Sequence, residues 1–225
     1  MQCTRYILQM RYVPDGTRIS HHPRKAITMF QKSKFSSSIE YIIVGLGNPG
    51  KQYENTRHNC GFMAIERLAE KENCKINKIR FKSTTGECTI AGHKCLLMKP
   101  STYMNLSGQA VVEAMNFYKI PPENVIIMFD DISLDVGRLR IRRSGSDGGQ
   151  NGVKNIIYLS GSDKFPRVKI GIGKKPHPEY DLKDWVLSRF SKEDMKLLDE
   201  VLDKAADSAS LIVQDKTDLA MQRYN

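Results

Sequence analysis

No stretch of this chain strings together the ~18–20 apolar residues that a membrane-spanning helix requires, which excludes a membrane-embedded body. Cysteines are few, five in all (Cys3, Cys60, Cys74, Cys88 and Cys95), and no C-x-x-C occurs. An odd count without paired spacing points away from a disulfide framework and from a zinc knuckle, and toward free thiols in a reducing compartment. The five histidines, including His21-His22, fall at no metal-ligand spacing with cysteines or carboxylates, so no metal and no cofactor are expected. The G-x-S-x-G elbow that presents a nucleophilic serine is missing. Cys60 lies two residues from His58, and positions that close on a helix point to different faces, so a Cys–His couple is not expected. Gly45-Leu46-Gly47-Asn48-Pro49-Gly50 lacks the third glycine of a dinucleotide fingerprint where that motif needs it. Pro49 also removes an N–H that could hold a phosphate.

What is present is a chain of 225 residues, 40% hydrophobic and 27% charged, with a formal net charge of +10. That length suits one domain with a well-buried core and a modest extra segment. A basic excess fits a polyanionic partner such as nucleic acid, or a generally basic surface, and charge alone does not choose between them. The excess is uneven. Residues 1–38 carry Arg5, Arg11, Arg18, Arg24, Lys25, Lys32 and Lys34 against the single acid Asp15. This basic, acid-poor, serine-containing extension shows no sustained amphipathic period. It reads as an organelle leader, as upstream sequence ahead of a start at Met29, or as a disordered basic arm.

Ordered structure is expected over residues 39–225. Tyr41 to Val44 reads as a buried strand, followed by a glycine-rich turn and a helix with Thr56 as its N-cap. Residues 79–90 and 94–98 read as paired strands joined through Ala91-Gly92. Leu106 to Tyr118 reads as a helix stopped by Pro121-Pro122. Val125 to Phe129 is a second buried strand, ending in Asp130-Asp131. A strand at Leu139–Arg142, a helix entered through Gly148, a strand at Val168–Ile172 and a helix over 191–214 complete the pattern. Alternating strands and helices define an α/β class: a single domain with a mixed twisted β-sheet and helices on both faces.

Ligands of open α/β sheets bind beyond the carboxyl ends of strands. The polar residues that stand out lie at such positions: Asn48 after the first strand, Asp130 at the end of the second, His58 near the first helix, and Asn105 and Asn151 at later helix starts. Each has an ordinary reading as a cap or turn residue. Together they would build a polar pocket if the fold brings them together.

Several of these residues sit inside longer recognisable blocks. Asn48-Pro49-Gly50-Lys51-Gln52-Tyr53-Glu54-Asn55-Thr56-Arg57-His58-Asn59 resembles the opening signature of the bacterial-type peptidyl-tRNA hydrolases. Lys99 to Gly108 resembles their second signature, Gly148-Gly149-Gln150-Asn151-Gly152 the third, and Arg167 to Gly173 the strand that follows. The blocks come in the family's order and spacing, over about residues 41–220. Two departures stand out. Gln150 occupies a position where the family usually has His, and Ser133 and Val136 replace part of an Asp-Leu-Pro stretch.

The resemblance implies hydrolysis of the ester between a peptide and the 3′-terminal ribose of tRNA, by a monomeric cytoplasmic enzyme without metal or cofactor. His58 would be the general base toward water, Asp130 its orienting carboxylate, and Asn48 a donor to the scissile ester. Tyr53, Met104, Asn105, Gln150 and Asn151 would contact substrate. Arg140, Arg142, Lys154 and Lys169 would hold tRNA phosphates. A non-catalytic RNA-binding protein, as in relatives recruited to intron splicing, is the alternative from another class, and an unrelated small-ester hydrolase is a third.

Overall fold

A computed structural model describes residues 38–225. The leader, upstream-start and basic-arm readings concern residues 1–38 and so lie, Ser38 apart, outside the described residues.

The chain runs β1 (Tyr41–Gly45), α1 (Cys60–Lys71), β2 (Lys78–Arg80), β3 (Ser83–Ile90), β4 (His93–Pro100), α2 (Ser107–Tyr118), β5 (Val125–Asp131), β6 (Leu139–Arg142), α3 (Asn151–Ser160), β7 (Arg167–Gly171), α4 (Leu182–Leu187), α5 (Lys192–Val213) and α6 (Thr217–Tyr224). The strands form one sheet in the order β2-β3-β4-β1-β5-β7-β6. The central strands β4, β1, β5 and β7 are parallel, while β2, β3 and β6 attach antiparallel at the two sides. This is the α/β mixed sheet that the alternation of elements predicts.

Burial explains which sequences make which strands. β1 is buried along its whole length because helices cover both faces of a central parallel strand. Tyr41 and Ile43 pack with α1, α5 and α6, whereas Ile42 and Val44 pack with α2 and α3. The edge strand β6 alternates instead: Leu139 and Ile141 face the core, and Arg140 and Arg142 face solvent.

Several local expectations need correction. Thr56 does not cap α1. A 3₁₀ turn at Arg57–Asn59 comes first, and the Thr56 hydroxyl donates to the carbonyl of Tyr53 at 2.8 Å. The strand expected over 79–90 is broken into β2 and β3 by Phe81-Lys82, both with positive φ. α2 ends at Tyr118 because Lys119 turns left-handed, two residues ahead of the prolines. The short helices α4 and α6 were not expected.

Two glycines set the position of the site. A Cβ on Gly61 would lie 2.4 Å from the carbonyl oxygen of Met128 and 2.5 Å from that of Leu46, and one on Gly45 would lie 2.2 Å from the carbonyl oxygen of Gly61. The start of α1 therefore rests directly on the ends of β1 and β5. The 3₁₀ turn that carries His58 lies immediately before it.

Candidate active site

The loop after β1 leads to α1 on one face of the sheet, and the loop after β4 leads to α2 on the other. Adjacent parallel strands whose loops part in this way open a crevice at their carboxyl ends. A cleft of about 720 Å³ occupies this end of the sheet, with Asn48, His58, Met104, Asp130 and Gln150 among its walls. Residues far apart in sequence, which could equally have been separate caps, thus converge on one place.

At the centre, His58 Nδ1 lies 2.7 Å from Asp130 Oδ2. Asp130 is almost fully buried, and the His58 side chain is only 14% exposed. Burial pulls the imidazole toward the neutral form, but the charge and hydrogen bond of Asp130 outweigh it, so the His58 pKa lies above its ordinary value. With Nδ1 held by the carboxylate, Nε2 is left as the ring nitrogen available for chemistry.

Asn48 is held from three directions. Its N–H donates to Asn59 Oδ1 at 2.8 Å, its carbonyl accepts from Asn59 Nδ2 at 3.0 Å, and its Oδ1 accepts from the N–H of Met104 at 2.8 Å. The last bond stitches the β1 loop to the β4 loop across the crevice. It also fixes the amide so that Nδ2 is the donor left over, without a partner among the described residues.

Gln150 is the N-cap of α3, and its Oε1 accepts from the N–H of Val153 at 2.8 Å. Its Nε2 donates to Asp130 Oδ1 at 3.0 Å and approaches Met104 Sδ at 3.1 Å. Gln150 is buried, whereas Asn105 and Asn151 are exposed at the cleft. Tyr53 and Tyr103 meet edge to face there, with ring centroids 6.5 Å apart.

The expected phosphate contacts are distributed unequally. Arg140 and Arg142 are exposed on one face of β6, and Lys169 stands directly across from Arg140 on β7. Lys169 Nζ is also paired with Asp131 Oδ2 at 2.9 Å at the cleft wall. Burial raises the Asp131 pKa, but bonds from Ser133 and Lys169 more than reverse this and hold the carboxyl below its usual range. Lys154 is exposed on α3.

Three contributors escape a reading by residue type: Asn59, Asp131 and Arg57. Arg57 is buried between the rings of Trp185 (3.9 Å to centroid) and Phe190 (4.6 Å). It donates to the carbonyl of Ile172 at 2.9 Å, to Ser188 Oγ at 3.2 Å and to Asp194 at 3.1 Å. These contacts tie α4, whose Leu182 and Val186 wall the cleft, to the residue next to His58. The advance signal for Arg57 and Asn59 was membership of the block that opens at Asn48, and for Asp131 only its place beside Asp130 at the end of the second buried strand.

An imidazole held by a buried carboxylate, beside an amide donor in a cleft at the carboxyl edge of a parallel sheet, defines a hydrolytic enzyme of the α/β class. The chain belongs to the peptidyl-tRNA hydrolase family, whose model matches residues 42–225. It is 51% identical over 185 residues to the peptidyl-tRNA hydrolase of a Thermoanaerobacter species, a match covering 82% of this chain and 99% of that protein. Identity to the Agathobacter rectalis peptidyl-tRNA hydrolase is 53% over 186 residues, covering 82% and 100%. The crystal structure of the Acinetobacter baumannii peptidyl-tRNA hydrolase superimposes with a TM-score of 0.78 at 36% identity, covering 83% of this chain and 96% of that one. Among the described residues, no helix is long and apolar enough to cross a membrane.

Proposed function

We infer that this chain hydrolyses peptidyl-tRNA, cleaving the ester between the peptide carbonyl and the terminal ribose so that the tRNA is freed for reuse. The observation that carries this reading is the 2.7 Å contact between His58 and Asp130 in the cleft that Asn48 also lines. Neutral His58 takes a proton from water through Nε2 while the water attacks the ester carbonyl. Asp130 holds the ring and stabilises the imidazolium that forms. Asn48 Nδ2 donates to the carbonyl oxygen as negative charge develops there. The proton then passes from His58 to the departing ribose oxygen. Since water is the nucleophile, no acyl-enzyme forms.

Tyr53 and Met104 wall the cleft, and the exposed amides of Asn105 and Asn151 suit hydrogen bonding to a peptide backbone. A substrate with a free amino group in place of a peptide bond would forgo those hydrogen bonds, each with a net contribution of ~0.5–1.5 kcal/mol. Arg140, Arg142, Lys154 and Lys169 suit tRNA phosphates, which position the substrate without reading its sequence. On this reading the enzyme works as a monomer in the cytoplasm, or in an organelle if residues 1–38 act as a leader.

The test is release of N-acetyl-amino acid from N-acetyl-aminoacyl-tRNA by the wild type and by His58→Ala. The expected result is turnover by the wild type that falls by several orders of magnitude in the variant. Tight tRNA binding without turnover by the wild type would overturn the reading in favour of a non-catalytic RNA-binding protein.

A further inference from the structure

We propose that Gln150 is a positioning residue of the hydrolytic site, locking Asp130 and the first residue of α3 into one frame rather than touching the substrate. The inference rests on the His58–Asp130 reading given above and goes a step further. Asp130 has two carboxylate oxygens, both in a nearly dry setting. Oδ2 serves His58, and Oδ1 receives the Gln150 amide at 3.0 Å. Without that donor, a buried anionic oxygen would lack a partner, and the carboxylate could swing about its Cβ–Cγ bond away from the imidazole.

The orientation of the Gln150 amide follows from its neighbours. One end faces the backbone N–H of Val153, which can only donate, and the other faces a carboxylate, which can only accept. Oxygen must therefore point at Val153 and nitrogen at Asp130. Both amide hydrogens are occupied, one on Asp130 and one toward Met104 Sδ, 3.1 Å away. A substrate group would have to displace one of these contacts to be recognised by Gln150. The carbonyl end of the same amide caps α3, whose first residue is Asn151. Gln150 thus fixes the distance between the general-base pair and one of the amides that suit the peptide. Because the Gln amide carries no charge at any working pH, the donor stays in place while His58 changes its charge.

Gln150→Glu separates the roles. It keeps an oxygen acceptor for Val153, so the helix cap survives, but at alkaline pH it offers Asp130 a second negative charge in place of a donor. Two quantities should be read: kcat and KM for N-acetyl-aminoacyl-tRNA at alkaline pH, and the NMR titration of the His58 ring, assigned by its disappearance in His58→Ala. The expected result is a kcat lower on the order of 100-fold, the cost of a catalytic group held off its productive geometry. KM should stay near the wild-type value, and His58 should titrate at higher pH than in the wild type. Gln150→Met, similar in length and without either polar end, should lose kcat as well, with a lower melting temperature from the lost cap. A Gln150→Glu enzyme with wild-type kcat and wild-type His58 titration would overturn the proposal and leave Gln150 as a cap alone. A raised KM with kcat and titration unchanged would overturn it in favour of direct substrate contact. The titration needs no turnover, so wild-type inactivity would sink the hydrolase reading while still leaving the coupling of Gln150 to His58 open to measurement.

Discussion

Asp130→Asn keeps the size of the side chain at the centre of the site and removes its charge. In the wild type, the carboxylate lies 2.7 Å from a largely buried imidazole. For opposite charges centred near 4 Å apart in a medium of effective dielectric about 20, the attraction is about 4 kcal/mol, equivalent to roughly three pH units of His58 titration. Burial of the ring works against this, so the net upward displacement is smaller, and the wild-type direction is upward. Taking away the charge leaves burial to act alone, and His58 should then titrate below its ordinary value of about 6.5. A general base works when neutral, so kcat/KM of the wild type should rise with pH to a plateau through an inflection above about 6.5. In Asp130→Asn the inflection should move below that value while the plateau drops on the order of 10³–10⁴-fold, as happens when a triad loses the charge that holds its histidine. The sign for stability follows from the same displacement. A histidine whose folded pKa exceeds its unfolded pKa stabilises fully below about 6.5, and the contribution fades as pH rises through the folded value. Urea unfolding should therefore show the largest gap between wild type and Asp130→Asn on the acid side of neutrality, narrowing as the pH becomes alkaline. An inflection that stays in place or climbs in the variant would refute the claim that Asp130 sets the charge of His58.

Other perturbations test the remaining parts. Asn48→Asp retains the oxygen that accepts from Met104 but loses the free Nδ2 donor, so kcat should fall on the order of 100-fold, and the carboxylate placed at this buried position should lower the melting temperature as well. Gly61→Ala would drive a methyl group to within 2.4–2.5 Å of two backbone oxygens, which cannot withdraw as a flexible side chain could. A loss of about 3 kcal/mol is expected by urea unfolding; a loss near zero would mean that α1 can lift off β1 without cost. Arg142→Ala should raise KM for the tRNA substrate and lower the slope of log KM against log salt by about one, with kcat unchanged. An unaltered salt slope would remove the exposed face of β6 from the tRNA interface.

The fold was readable where burial imposes a pattern. β1 and β5 are continuous apolar runs because both their faces are covered, and β6 alternates because only one is. Structure hidden from the sequence depended on backbone geometry or on distant partners. Phe81-Lys82 carries no Gly or Asn to announce a left-handed turn, yet it adopts one where β2 folds back on β3. α4 is six residues long and gains its place from the Arg57–Trp185 stack, a contact between residues more than a hundred positions apart. In the site, residue type and family blocks picked out Asn48, His58 and Asp130, but the interlocking of Asn48 with Asn59 and Met104 exists only once the β1 and β4 loops meet in the folded chain. Lys169, expected from the resemblance to hold a tRNA phosphate, is paired with Asp131, a contact that no sequence pattern announces.

The stack of Arg57 on Trp185 has a practical consequence. Trp185 is the chain's sole tryptophan. Its indole N–H donates to the carbonyl of Gly173 at 3.0 Å, and its ring meets that of Tyr180 edge to face. The one strong emitter in the molecule therefore sits in α4, the helix whose Leu182 and Val186 wall the cleft, with the Arg57 guanidinium 3.9 Å from its ring centroid and His58 the next residue along the chain from that arginine. Tryptophan emission comes from this single site, so movement of α4 and the docking of the Arg57 side chain against it can be followed by intrinsic fluorescence without an added label.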